Sequence, residues 1–426
     1  MVTSLDRSIN IGFISFRFQG TDGVSLETAK WAAVLEEMGH KCFYFSGLSD
    51  RPSERSMVVE EAHFLEPETR EYYSKFFSST KRTREETRWI YSRKEYFKEQ
   101  LYSFIDSFNL ELFIPQNVLS FPLNIPLSLA LVEIIAETSL PTIAHHHDFT
   151  WERKPLLVNS IGDYITMAVP PNLAAVQHVV INSSAAHQLA RRVGVSSINI
   201  PNVMDFENPP PESDEYSSDL REALGIEADE LFILQPTRVV QRKGIEHAIE
   251  LVSRLGRKAR LVISHASGDD GYEYEARVAD FAERMGVRTI FSSERFGEYR
   301  GTTEGGKKIY SLSDAYPHAD LVTYPSLIEG FGNAFLEALY YKKPIVVNNY
   351  AIYAIDIRPK GFNVIEFDDY ITEKTVQDTL RILDDPAHQE ELCRFNYELA
   401  LRHFSFKLLS SEFRVLLANA FGINGP

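Results

Sequence analysis

Two kinds of pattern alternate along the chain. Short continuous apolar runs of strand length give way to longer stretches whose apolar positions recur every three or four residues, the spacing of one helix face. The first run, Ile9–Phe16, predicts a buried strand, the stretch from Leu26 to Met38 a helix, and Lys41–Ser46 a second strand. Ser53–Glu68 is polar and predicts no element, and Lys81–Tyr91 reads as the solvated face of a helix. Strands are next expected at Glu111–Pro115, Leu140–Ala144, Ala175–Ser184 and Ser197–Ile200, with helices over about 126–137 and 185–193 between them. Asn208–Glu215, rich in proline and acid, marks a linker, and a domain boundary falls at about 205.

The alternation then restarts. A strand from Leu231 runs into a basic turn and a helix over Glu246–Leu255, and further strands are expected at Arg260–His265, Arg288–Ser292, Ala319–Pro325, Ile345–Val347 and Asn363–Phe367. A turn at Ser267–Gly271, a helix over Glu273–Met285, a glycine-containing loop over Glu298–Lys308 and a helix over Tyr310–Tyr316 fill the intervals. From Thr372 to Phe421 the period is helical, interrupted at Pro386. Strand and helix alternating in two successive halves predict an α/β protein of two Rossmann-like, doubly wound domains.

Composition narrows the class without changing that picture. At 426 residues the chain has ample length for two cores, and 44% hydrophobic with 24% charged residues is ordinary for a globular protein. Forty-four basic against 60 acidic residues give a formal charge of −16, which disfavours nucleic acid or anionic lipid as a general partner. Only Cys42 and Cys393 are present, so there is no disulfide framework and no CxxC spacing, and a reducing cytoplasm is the expected compartment. The polar start, Met1–Arg7, leads straight into a strand-like run, and no stretch reaches eighteen apolar residues, so neither a signal peptide nor a spanning helix is expected.

Candidate chemistry concentrates after the Ala319–Pro325 run, in Ser326–Leu339. A strand, a short turn with Gly330 and Gly332, and a helix from Asn333 place unpaired amides and the positive end of a helix dipole beside a ligand, and a phosphate suits both. Glu329 precedes the helix and Glu337 lies one turn beyond Asn333, so two acids can face one cleft. In the basic turn, Arg238 and Lys243 pair a planar fork with a compact charge, a combination able to offset the charge growing on a leaving nucleoside diphosphate. After the first strand, Gly20 and Gly23 border the first helix without the GxGxxG spacing of a dinucleotide site, and Asp22 and Ser25 suit a helix cap. His145, His146 and His147 follow another strand; consecutive strand residues face opposite ways and no acid or cysteine has zinc spacing, so no metal is expected. His147 with Asp148 stands at a carboxyl end, where α/β sheets carry ligands, and Arg153 and Lys154 suit a carboxylate or phosphate, or simply solvent.

Glu329-Gly330-Phe331-Gly332 with Glu337, together with Arg238 and Lys243-Gly244, resembles the retaining GT-B glycosyltransferases of family 4, and the likeness runs in order along nearly the whole chain. The resemblance implies two domains facing an interdomain cleft: residues 1–205 for the acceptor, 206–402 for the nucleotide sugar, and a last helix over 403–426 that crosses back to the first domain. It implies that Glu329 and the Gly330–Gly332 amides hold donor sugar hydroxyls and distal phosphate, that Glu337 holds the ribose, and that the base lies near Phe291–Phe296. His147, or else His145, would meet the reacting sugar, Gly20 and Gly23 the donor phosphate or acceptor, and Asp148, Arg153 and Lys154 the acceptor. The implied activity is metal-independent transfer of a hexose, with retention, from GDP-mannose or UDP-glucose to a hydroxyl, with no cofactor beyond the sugar nucleotide. The surroundings of His147 resemble enzymes with small soluble acceptors such as glucosylglycerate. A sugar-nucleotide epimerase or phosphorylase of the same fold, or a non-catalytic sugar-nucleotide-binding protein, is the alternative.

Overall fold

A computed structural model describes residues 7–20, 22–265, 272–292 and 294–422. The turn expected at 267–271 lies outside the described residues. The chain forms two compact units, Met1–Pro201 with Phe406–Pro426, and Asn202–Ser405.

In the first unit seven strands form one sheet: β1 (Asn10–Ile14), β2 (Lys41–Ser46), β3 (Ser56–Val58), β4 (Leu112–Pro115), β5 (Thr142–His146), β6 (Val176–Val180) and β7 (Ser197–Asn199). Their order is β3-β2-β1-β4-β5-β6-β7, with every pairing parallel. The central strands are buried along their length on both faces, and β4 accordingly reads as a continuous apolar run. The first helix, Gly23–Glu37, starts three residues ahead of expectation because Asp22 caps it, its carboxylate accepting from the N–H groups of Val24 and Ser25 at 3.1 Å. The charged stretch after Lys81 opens the 25-residue helix Arg84–Phe108. A Thr83/Glu86 capping box starts it; Arg84, Glu85 and Arg88 face solvent while Ile90, Phe97, Leu101 and Phe104 are buried. The terminal helix, Phe406–Ala420, completes this unit: Phe413 meets the buried Trp31 ring edge-on at 4.9 Å, and the Leu416 carbonyl accepts from Gln177 Nε2 at 2.9 Å.

The second unit holds β8 (Leu231–Gln235), β9 (Ala259–Ile263), β10 (Arg288–Phe291), β11 (Phe296–Gly297), β12 (Gly301–Thr302), β13 (Lys308–Ser311), β14 (Leu321–Tyr324), β15 (Ile345–Asn348) and β16 (Ile365–Phe367). Six of them make a parallel sheet in the order β10-β9-β8-β14-β15-β16. The other three form a small sheet, β11-β13-β12, where sequence reasoning expects a loop and then a helix. Tyr216, just past the linker, donates its hydroxyl to the carbonyls of Gly301 and Ile309 at 2.8 and 2.9 Å and pins these strands together. The helix expected over Tyr310–Tyr316 shrinks to Leu312–Ala315 because β13 takes its first residues. Pro386 occupies the first turn of Pro386–His403, where a missing N–H costs nothing, and Asp385 caps that helix.

In both parallel sheets the strand order reverses next to the first strand, between β1 and β4 and between β8 and β14. Loops leaving the carboxyl ends of such a pair splay apart and leave a crevice for ligand. Among the described residues no helix is long and apolar enough to cross a membrane.

Candidate active site

In the second unit the crevice is built from the turns that follow β8 and β14. Gly244 closes the first turn with φ +58, and a Cβ there would stand 2.5 Å from the Pro325 carbonyl oxygen, so only glycine lets the two backbones touch. The turns are then stitched together. Leu327 N–H donates to the Arg242 carbonyl at 2.8 Å, and the Arg242 guanidinium donates to the Ile328 carbonyl at 3.2 Å. That contact brings Lys243 into an ion pair with Glu329, whose other oxygen lies 3.3 Å from Arg242, while the Lys243 ammonium sits 5.7 Å above the Tyr324 ring centre.

Lys243 and Glu329 are almost shut off from solvent, with side-chain exposures of 11% and 9%. Burial pulls the lysine's pKa down, with Arg242 and Arg238 adding to the fall and Glu329 opposing it. Burial pushes Glu329 up, but Lys243 and Arg242 outweigh it and hold the carboxyl below its ordinary value. His265, just past β9, is brought down to about 4 by burial, then by Arg238 and Lys243, so it stays neutral beside them. Arg238 is exposed, and its side chain has no hydrogen bond or ion pair among the described residues. Two cations thus hold one carboxylate, and Arg238 adds a third charge beside Lys243, a surplus of positive charge suited to a dianion.

Beyond Glu329, Gly330 is exposed and Phe331 is buried, its ring edge-on to Phe404 at 5.4 Å. Gly332 takes φ +134, and a Cβ there would lie 2.5 Å from the Tyr350 hydroxyl, itself 2.6 Å from the Phe331 carbonyl. The helix Asn333–Tyr340 begins without a side-chain cap. Asn333 Oδ1 accepts from Asn202 Nδ2 at 2.7 Å, and the Glu337 carboxylate accepts from the Tyr316 hydroxyl at 2.7 Å. The two acids of the motif are therefore held by different partners, Glu329 by cations and Glu337 by a buried phenol.

The first unit brings its own candidates together at the β1/β4 reversal. Gly20 has φ +85 and its N–H lies 3.4 Å from Asp50; Gly23 opens the first helix, and Thr21 is outside the described residues. Asp22, besides capping, takes Arg17 at 3.2 Å, and its charge reaches His147. Gln116, after β4, sets its Oε1 2.9 Å from His145 Nδ1 and 3.0 Å from His147 Nε2, so both rings donate to one oxygen in the assigned amide orientation. Asn117 Oδ1 accepts from the N–H groups of His147 and Asp148 at 2.7 and 3.2 Å. His145 stacks on Trp31 at 3.9 Å, whereas His146 turns to the other side of the sheet and meets His178 at 2.8 Å. Among the described residues no three His, Cys, Asp or Glu side chains converge as metal ligands.

Burial brings His147 to about 4 against the pull of Asp148 and Asp22, so its ring is neutral at neutral pH. With Nε2–H given to Gln116, its Nδ1 is left to accept a hydrogen bond. Asp148 and Arg153 pair with each other at 2.7 Å, and Lys154 is exposed at the start of a short 3₁₀ turn. Sequence reasoning names Gly244 only as part of the Lys243-Gly244 motif and passes over Arg242, His265, Gln116 and Tyr350. None of these four carries a signal of its own in the sequence.

No protein-family model matches the chain. The mannosylglucosylglycerate synthase of Thermotoga maritima is 32% identical over 436 residues, covering 94% of this chain and 98% of its own length. That of Petrotoga mobilis is 30% identical over 446 residues, covering 94% and 99%. Among solved structures, a glycosyltransferase from Rickettsia africae superposes with a TM-score of 0.70 at 13% identity, over 98% of this chain and 100% of that one, which speaks to the fold. Identity at this level across almost the full length of both relatives, on two parallel-sheet units, means that the chain belongs to the mannosylglucosylglycerate synthase family of glycosyltransferases, with the GT-B fold.

Proposed function

We propose that the protein transfers a mannosyl group, with retention and without a metal ion, from GDP-mannose to a hydroxyl of glucosylglycerate or a close analogue. The observation that carries this reading is the contact of the Arg238–Gly244 turn with the Glu329–Gly332 turn through Lys243 and Glu329. The relatives' names supply the sugar and the acceptor. UDP-glucose is the second donor to try.

In this reading the bond from the anomeric carbon to the distal phosphate breaks as a bond to the acceptor oxygen forms on the same face, and the acceptor's proton passes to the leaving phosphate. Arg238 and Lys243 meet the charge that builds on that phosphate, and charge met by preorganised cations in a dry site lowers the barrier. Glu329 and the Gly330–Gly332 amides hold sugar hydroxyls and phosphate, Asn333 begins the helix whose dipole faces the phosphate, and Glu337 holds the ribose. Gly20 and Gly23 leave room for phosphate or acceptor, and the uncharged His147 accepts a hydrogen bond from a sugar hydroxyl. Lys154, with Asp148 and Arg153, serves the acceptor. The two cysteines are free and buried, which suits a reducing cytoplasm.

The test is transfer from GDP-mannose or UDP-glucose to glucosylglycerate in the presence of EDTA, with melting temperatures measured in GDP, UDP and ADP. The expected outcome is product in EDTA, the largest stabilisation from GDP, and a kcat lowered roughly a hundredfold or more by Lys243→Ala with little change in the acceptor KM. Activity abolished by EDTA and restored by Mg²⁺, or wild-type turnover in Lys243→Ala, would overturn it.

A further inference from the structure

The turn through Phe331 and Gly332 is held in place by a residue that no motif announces. Tyr350, two residues past β15 and 2% exposed, donates its hydroxyl to the Phe331 carbonyl at 2.6 Å. Its ring meets Tyr324 edge-on at 5.9 Å, and Glu329 acts electrostatically on both phenols, which places the hydroxyl in the neighbourhood of the Lys243–Glu329 pair.

A trans peptide is planar, and its C=O and N–H point in opposite directions. Fixing the Phe331 oxygen on Tyr350 therefore fixes the Gly332 N–H on the far side of the same plane. Gly332 is buried, and its N–H donates to no group among the described residues. A buried donor without an acceptor is costly, and the cost is removed when a ligand oxygen arrives. The uncapped helix start at Asn333 follows at once and adds its positive end to the same place.

We propose that Tyr350 is a positioning residue which, through the Phe331 carbonyl, aims the Gly332 amide at the distal phosphate of the bound nucleoside diphosphate. This rests on the phosphate reading given above. Phenylalanine would keep the ring and its packing while releasing the peptide plane. Nothing else in the crevice would change, since Lys243, Arg242 and Glu329 are tied to one another and not to Tyr350 through any hydrogen bond.

The experiment is calorimetric titration of wild type, Tyr350→Phe, Tyr353→Phe and Lys243→Ala with GDP and with GMP, which lacks the distal phosphate; UDP and UMP replace them if the wild type prefers uridine nucleotides. Tyr353 is a second buried phenol whose hydroxyl is given to Glu366, so its variant loses a hydrogen bond without touching the turn. Tyr350→Phe is expected to weaken GDP about tenfold, the scale of one charge-assisted hydrogen bond, and GMP less than about twofold. Tyr353→Phe should change neither. Equal weakening of GDP and GMP, or no weakening of GDP while Lys243→Ala loses it, overturns the role of Tyr350 and leaves the phosphate reading standing. If Lys243→Ala also binds GDP like wild type, the phosphate reading itself falls. A measurement on the wild type needs no variant to fold: amide hydrogen exchange at Gly332 should slow on adding GDP and not on adding GMP, and equal protection by both would reject the proposal.

Discussion

At position 244 a side chain has no room. An alanine there would need both a left-handed backbone and a carbonyl oxygen displaced from 2.5 Å, and the displaced oxygen belongs to the turn that carries Glu329. Gly256 has a similar φ of +63 with nothing within 4 Å of a built Cβ, so Gly256→Ala carries the conformational cost alone, about 1 kcal/mol. Gly244→Ala is expected to lose more stability than Gly256→Ala and to lower transfer at least roughly tenfold, because Lys243 and Glu329 are no longer held in register. Melting curves and initial rates of the two variants side by side check this; equal rates would show that the stitched turns are dispensable. Glu329 and Lys243 were legible in the sequence because each stands in a short run with glycine beside it. Arg242, Gln116 and Tyr350 were not, because what makes them matter is a partner far away in the chain: Arg242 meets Glu329, Gln116 meets His145, and Tyr350 meets Phe331.

Elements were legible in proportion to their burial. β1, β4, β8 and β14 read as strands because a parallel strand covered on both faces is buried along almost its whole length, so apolar residues dominate the run. β3 and the β11–β13 set were missed: they are two to four residues long and largely half-exposed, and they exist because β2 and Tyr216 offer them hydrogen bonds. The terminal helix, Phe406–Ala420, was legible from its spacing, and its energetic weight in the first unit lies at Phe413, fully buried against Trp31. Phe413→Ala should cost about 3–5 kcal/mol and shift the emission of Trp31 to longer wavelength, whereas Val415→Ala, on the same helix at a residue 49% exposed, should stay within about 0.5 kcal/mol of wild type. Urea titration of both variants followed by fluorescence decides; equal midpoints would mean that the helix adds little.

For the molecule as a whole, acid acts unevenly. Burial drives His145 and His146 well below the ordinary 6.5, and His147 and His178 to about 4, and all four belong to the first unit. A histidine with a lower pKa in the native state takes its proton first in the unfolded chain, so stability is intact above 6.5 and is lost as pH falls from there towards 4. Trp31, Trp89 and Trp151, the three tryptophans, also lie in the first unit, so their emission follows that unit's unfolding. The urea midpoint seen by tryptophan emission is expected to fall by roughly 1 M between pH 7 and pH 5. A midpoint that does not move would mean that these imidazoles are protonated in the native protein.

The second unit also begins and ends at one place, where Met204 N–H donates to the Phe404 carbonyl at 2.9 Å and Met204 bridges to Ser405. Residues 202–405 therefore form a segment clasped at its neck and inserted, in sequence, between Pro201 and the last helix of the first unit. On the ribosome this sets an order. The clasped insert is complete while the earlier residues are still waiting, with Trp31 uncovered, for a helix that is made only after the whole insert. A nascent chain of this protein thus carries its first unit unfinished until residues 406–420 have been made, and the Trp31 face is where a chaperone would find it.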